Sequence, residues 1–287
     1  MCLIMIKEFI KFIIYLIIIV IISKYLLVYA LRKLAKILKL KPRVAGNISG
    51  YATSIPELLT ITASSFSGLM DTSIINAMSS NVINIIQYIG TIVVNRNYKA
   101  MKNRTVITDF ILSIFTIIIP MILISIDKAN SIDIVPVYIL LYIIFRIINN
   151  NCHKMYMKIN EENSKTKKDE IVKKEDKYIM KIIKYLIYVI LSGVLLYIVG
   201  DKLRETLEVL CNQFNISQII IGILLGFMTS LPELISFIEA QRHYRNEEDN
   251  ILGVVEASNN LLTSNILNLF VFQSLGIVIS FVYLYKL

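Results

Sequence analysis

Two carboxylates stand where carboxylates are costly. Glu57 lies in "ATSIPELL" (52–59) and Glu233 in "MTSLPELI" (228–235), each within a stretch otherwise apolar enough for a membrane helix. A charge at the bilayer centre costs about 3 kcal/mol or more, so an intramembrane carboxylate points to function. Each follows a proline, Pro56 or Pro232. Proline lacks an N–H, so the carbonyls of Ala52 and Met228 lose their helical partners. A freed carbonyl in lipid needs another partner. A dehydrated hard cation can be that partner, because Na⁺ and Ca²⁺ both take oxygen ligands. Thr53, Ser54, Thr229 and Ser230 add hydroxyls three or four residues before the glutamates, roughly on one helical face.

A second polar block follows each glutamate. "NAMSSNVIN" (76–84) offers Ser80 and Asn84 with Asn81 nearby; "NLLTSNILN" (260–268) offers Ser264, Asn265 and Asn268. Carboxylate, hydroxyl, amide and carbonyl oxygens without a soft ligand favour hard cations over zinc or copper. Ser, Thr and Asn in membrane helices also simply bond neighbouring helices. That structural reading serves any single hydroxyl here as well as ligation does. It serves the paired glutamates poorly.

The two regions are copies. Gly46, Gly50 and Thr-Ser-x-Pro-Glu-Leu recur at an offset of 176, giving Gly222, Gly226 and the motif from Thr229. The second block recurs at an offset of 184, so eight extra residues fall in the second copy, near "EAQRHYRNEED". Two blocks in one order at fixed offsets indicate duplication.

These motifs need a membrane scaffold. The chain has 287 residues, 56% hydrophobic, with a mean hydropathy of +0.66, too apolar for a soluble domain. A span takes ~20 mostly apolar residues. Eight such stretches lie near 10–30, 44–67, 72–95, 105–126, 133–149, 179–200, 216–239 and 251–280. The expected class is an all-α integral membrane bundle built on inverted repeats. The N-terminal apolar run outlasts a signal h-region and lacks a small-residue cleavage site, so it reads as the first span.

Charge orients the bundle. With the N-terminus outside, residues 24–43, 95–108, 146–184 and 240–250 share one side and carry 24 of the 30 Lys and Arg. The positive-inside rule makes that side cytoplasmic and explains the +9 charge without nucleic acid. The same topology makes the copies cross the bilayer in opposite senses, as in secondary transporters. The chain divides into a first membrane half (1–150, repeat 44–95), a basic cytoplasmic linker (151–178) and a second half (179–287, repeat 216–280). Glu/Lys spacing in "NEENSKTKKDEIVKKEDK" (160–177) suggests partial helix in that linker.

Other polar residues receive structural expectations. Cys2, Cys152 and Cys211 are scattered, with no CxxC pair. His153 and His243 read as solvated loop residues, Asp109 as interfacial, and Asp71, Glu239 and Glu256 as rim residues.

"GYATSIPELL…SSNVIN" and "GFMTSLPELI…TSNILN" resemble the signature repeats of the sodium/calcium exchanger family, within the calcium/cation antiporter superfamily. The resemblance implies two inverted five-helix halves, with cation sites between the second and third helix of each, and alternating access by sliding of the first and sixth. It also implies ligand roles. Glu57 and Glu233 would be shared Ca²⁺ and Na⁺ ligands. Thr53, Ser54, Thr229, Ser230 and the backbone of Gly50 and Gly226 would add oxygens. Ser80 and Ser264 would hold Na⁺, with Asn84 and Asn268 completing the centre.

Three departures stand out. Many relatives carry an acid where this chain has Asn268, leaving two central carboxylates, which balance one Ca²⁺ or two Na⁺ and fit electroneutral exchange. Ser79 and Thr263 replace the glycine before Ser-Asn, tightening a helix contact. Only nineteen residues follow Asn268, giving eight spans against the family's ten and leaving homo-oligomerisation open.

The leading expectation is a Ca²⁺/Na⁺ antiporter, with those ions as cargo, the bilayer as surroundings and no tightly bound cofactor. The alternatives are a Ca²⁺/H⁺ or other divalent exchanger, since a buried glutamate can carry protons, and a non-transporting truncated paralogue or subunit. No nucleophile–base pair or nucleotide loop suggests an enzyme. The lack of a targeting segment fits a prokaryotic plasma membrane.

Overall fold

In a bilayer every backbone polar group must be satisfied within its own segment, so long Ile- and Leu-rich runs become helices. The computed structural model describes residues 2–38, 42–163, 175–243 and 251–284, and among these there is no strand. Helix α1 (Cys2–Ile22) passes through a π-helical turn (Ser23–Val28) into α2 (Tyr29–Ile37). Then come α3 (Pro42–Thr53), α4 (Ile55–Phe66), α5 (Met70–Val94), α6 (Arg104–Ser125) and α7 (Val135–Asn163). The second half holds α8 (Glu175–Glu208), α9 (Gln218–Thr229), α10 (Leu231–His243) and α11 (Ile251–Ile266). Helix α11 continues through a π-helical turn (Leu267–Phe272) into α12 (Gln273–Leu284).

Among the described residues, seven helical stretches are long and apolar enough to cross a bilayer. The eighth expected span, 44–67, is the α3–α4 pair, two 12-residue helices broken at Ser54. The linker is helical at both ends, to Asn163 and from Glu175, while 164–174 lie outside the described residues. So do residues 244–250, where most of the eight-residue insertion falls.

The first repeat is α3, α4 and α5. The second is α9, α10 and the α11–α12 rod. Helices α4 and α5 are joined by a Schellman turn: Leu69 N–H donates to the Ser64 carbonyl (2.8 Å) and Gly68 N–H to that of Ser65 (3.1 Å). Gly68 takes φ +71°, which a side chain would strain. This turn folds α5 back along α4.

The repeats interlock where small residues let backbones meet. A Cβ on Gly50 of α3 would lie 2.7 Å from Thr263 Cβ on α11. Its equivalent, Gly226 of α9, would meet Ser79 Oγ at 2.0 Å and Ser80 N at 2.8 Å on α5. Ser79 and Thr263, equivalent positions in the two copies, thus face the two repeat glycines.

The molecule is polar inside and apolar outside. Isoleucines such as Ile86, Ile122 and Ile190 are exposed, whereas Thr53, Ser80, Asn84 and Asn268 are fully buried. Helices α1 and α8 pack on the repeats through apolar side chains, including Phe12, Leu16, Leu203 and Leu207 against Ala63, Ile221 and Leu225.

Candidate cation site

Pro56 and Pro232 break their spans at matching places. Helix α3 ends at Thr53 and α4 begins at Ile55; α9 ends at Thr229 and α10 begins at Leu231. The carbonyl ends of α3 and α9 therefore meet the first turns of α4 and α10, which carry Glu57 and Glu233. Half-helix carbonyl ends in mid-membrane attract cations.

Helices α5 and α11 close the centre. Ser54 Oγ lies 2.7 Å from Ser264 Oγ, which donates to Glu233 Oε1 at 2.9 Å. Ser80 Oγ lies 3.4 Å from Thr229 Oγ1 and donates to the Gly226 carbonyl at 3.4 Å. Thr229 sits beside Glu57 and Thr53 beside Glu233, so each carboxylate meets the other repeat's threonine. The Gly50 carbonyl accepts from Ser54 N (3.2 Å) and Ser54 Oγ (2.8 Å). Gly226 receives the same pair from Ser230, at 3.2 and 2.7 Å. A cation reaching either carbonyl must first turn the serine hydroxyl away. All twelve residues expected at the site are buried and gathered here.

Asn81 and Asn265 are the structural centre that the sequence left at the margin. They are equivalents, and each amide donates to the other's backbone carbonyl, at 3.1 and 3.3 Å. Their side-chain oxygens accept from the Asn268 and Asn84 amides respectively, both at 3.1 Å. The available signal was their shared offset of 184. The effect is to spend the NH₂ groups of Asn84 and Asn268 and leave their oxygens over.

Seven buried side-chain oxygens in this core have no hydrogen-bond partner: Glu57 Oε1 and Oε2, Glu233 Oε2, and Oδ1 of Asn76, Asn84, Asn260 and Asn268. All are acceptors. The amides of Asn76 and Asn260 are spent on Thr60 and Ser236, again equivalent pairs, both at 2.7 Å. Buried polar groups are normally paired, and each unpaired one costs about 1–3 kcal/mol. Orphaned oxygens without one orphaned donor suit a positive ligand. Among the described residues no three of His, Cys, Asp and Glu gather, so the oxygen set rests on two carboxylates and neutral groups.

A family model described as "Sodium/calcium exchanger protein" matches residues 8–149 and 184–287. The chain belongs to the sodium/calcium exchanger protein family. This makes it an integral membrane protein among cation exchangers. The chain is also similar to the putative antiporter CaxA of Alkalimonas amylolytica, 22% identical over 258 residues, 88% of this chain and 75% of that one. Its fold resembles that of the sodium-calcium exchanger NCX_Mj. For the form soaked with 2.5 mM Na⁺ and 0.1 mM Ca²⁺, the TM-score is 0.51 at 20% identity, covering 97% of this chain and 90% of that one. For the form soaked with 2.5 mM Na⁺ and 10 mM Sr²⁺, it is 0.50 at 20% identity, covering 98% and 91%.

Elsewhere in this exchanger-family chain, three expectations are corrected. Asp109 is not interfacial: it is fully buried in α6. It accepts from Asn149 Nδ2 (2.8 Å) and Ser258 Oγ (2.8 Å), and His153 Nε2 lies 3.0 Å from it. His153 is not a solvated loop residue, because α7 runs past it and buries it completely. Glu256 is not at the rim but 6% exposed on α11. Asp71 and Glu239 are exposed, as expected. His243 ends α10, and its side chain lies outside the described set.

Proposed function

We propose that this protein is a secondary antiporter exchanging Ca²⁺ for Na⁺ by alternating access, with the ions bound between the two repeats. The observation that carries this reading is the set of orphaned acceptors around Glu57 and Glu233. Glu57 and Glu233 neutralise the ion, Asn84 and Asn268 supply neutral oxygens, and Ser54, Ser80, Ser230, Ser264, Thr53 and Thr229 supply hydroxyls. The names of the relatives agree with this: one is called an antiporter, another a sodium-calcium exchanger.

Alternating access follows if α1–α2 and α8 slide over the repeats as one layer. Their packing against the repeats is chiefly aliphatic, and sliding such faces breaks few directional bonds. The charge distribution supports an orientation with the basic connections in the cytoplasm and the N-terminus outside.

The test is gradient-driven transport. Vesicles containing the protein are loaded with Na⁺, and ⁴⁵Ca²⁺ uptake is followed with and without the gradient. Uptake should require the Na⁺ gradient. Glu57→Gln and Glu233→Gln should each lower it at least about tenfold, because each removes a buried charge contact on the ion. Uptake that follows a pH gradient and ignores Na⁺ would replace Na⁺ coupling with proton coupling. Absence of gradient-driven uptake of any cation would defeat the antiport reading.

A further inference from the structure

Arg146 lies in α7, inside a stretch (Ile132–Met155) long and apolar enough to span a bilayer. An arginine within such an apolar stretch is costly and needs a reason. Sequence alone grouped it with the cytoplasmic linker charges; the structure turns it into the bundle. Its guanidinium donates to Asn47 Oδ1 (2.9 Å), Thr263 Oγ1 (3.2 Å) and the Tyr51 hydroxyl (2.6 Å). It also lies over the rings of Tyr51 and Tyr142, 5.3 and 5.8 Å from their centroids. Every one of these partners is neutral. Among the described residues no carboxylate pairs with Arg146. One charged group shown to lie within electrostatic reach is Arg43, also a cation.

The field of this uncompensated charge reaches the cation site. Thr263 precedes Ser264, whose hydroxyl donates to Glu233 and touches Ser54. Through these links the guanidinium is within about 12 Å of the Glu233 carboxylate. It also lines a cavity of about 430 Å³ between α3 and α7, with Arg43, Asn47, Tyr51, Tyr142 and Asn150. That polar opening argues for an effective dielectric of about 20 rather than about 4.

We propose that Arg146 is a built-in positive charge that weakens cation binding at Glu57 and Glu233, and weakens divalent binding more than monovalent. The inference rests on the cation-site reading above. Repulsion between fixed charge and ion scales with the ion's charge. At about 12 Å and a dielectric of about 20, the penalty is about tenfold in affinity for Na⁺ and about a hundredfold for Ca²⁺. Two buried carboxylates would otherwise favour Ca²⁺ over a single Na⁺. Arg146 narrows that gap ion for ion; because two Na⁺ together feel the same penalty as one Ca²⁺, it leaves the one-for-two exchange balance unchanged and loosens both cargoes, so that release and turnover can proceed.

The test measures equilibrium binding of ⁴⁵Ca²⁺ and ²²Na⁺ to the purified full chain. Wild type is compared with Arg146→Gln, Arg146→Lys, Asn47→Asp and Glu57→Gln. Arg146→Gln should tighten Na⁺ about tenfold and Ca²⁺ about a hundredfold. Arg146→Lys should keep both within about threefold of wild type, because the charge stays. Asn47→Asp tests the field without removing the arginine, which matters if Arg146→Gln fails to fold. Asn47 Oδ1 accepts from Arg146, Asn259 and Thr263, so a carboxylate keeps all three bonds while cancelling the charge. It should shift both ions the same way, with the logarithm of the Ca²⁺ shift about twice that for Na⁺. Equal shifts for the two ions, or none, would overturn the role of Arg146 alone. Failure of wild type to bind either ion, or binding untouched by Glu57→Gln, would overturn the cation-site reading and this inference with it.

Discussion

Asn268 carries an amide at the centre of the expected site, and the structure gives that amide work. Its NH₂ donates to Asn81 Oδ1 at 3.1 Å, and its oxygen is left without a partner. Asn84 makes the mirror bond to Asn265. An acid at 268 could ligate an ion but could not donate to Asn81. The neutral residue therefore fixes both the orientation of the ligand and the charge of the site. On the proposed reading, two carboxylates balance one Ca²⁺ or two Na⁺, so that exchange would move no net charge. Uptake by the wild type should be indifferent to membrane potential. Asn268→Asp should acquire a potential dependence, because one elementary charge across 100 mV carries about 2.3 kcal/mol, or roughly fiftyfold. Vesicles held near zero and near −100 mV with a K⁺ gradient and valinomycin distinguish the cases. A wild type already sensitive to potential would refute the two-carboxylate count. At this scale the repeats made most of the gathered residues legible. Asp109 and His153 stayed hidden because their meeting is tertiary: 44 positions separate them, and neither belongs to a repeated motif.

At the scale of elements, the break in each second-helix position was legible from proline, while the contact that holds the repeats together was not. Nothing local announces that Gly226 must face Ser79, or Gly50 Thr263. Both follow from two helices crossing closely enough for backbone to touch side chain. The π-helical turn at Leu267–Phe272 was equally invisible, because the apolar pattern runs through it unchanged. The crossing gives a sharp comparison. Gly226→Ala would set a methyl 2.8 Å from the Ser80 backbone nitrogen, which cannot move without displacing α5. Overpacking of this kind costs about 1–3 kcal/mol. Gly90→Ala, in the same helix α5, meets nothing within 4 Å and should be neutral or slightly stabilising. Thermal unfolding in detergent should show a lowered midpoint for Gly226→Ala alone, and its Ca²⁺ uptake should fall with Ser80 displaced. Comparable unfolding of the two variants would show that the α5–α9 crossing is looser than described.

Across the whole molecule, two asymmetries must agree. The fold buries oxygen and exposes isoleucine, the reverse of a water-soluble protein, and the topology expected from the sequence would gather most basic residues at one end of the bundle. Inverted repeats add a third condition: the carbonyl end of α3 and that of α9 must approach the centre from opposite faces, which the even number of spans between them, α5 to α8, ensures. Orientation then fixes which half of the site opens to which compartment. If the positive-inside rule governs, Lys99, after α5, is cytoplasmic, and Lys128, after α6, is external. Both side chains are exposed. In a variant with Cys2, Cys152 and Cys211 replaced by serine, a single Lys128→Cys should react with an impermeant maleimide on intact cells. Lys99→Cys should react only once the membrane is opened. The reverse pattern would invert the assignment, placing the α3–α7 cavity and Arg146 on the external route to the ions and leaving the basic linker outside, against the charge rule that orders the rest of the chain.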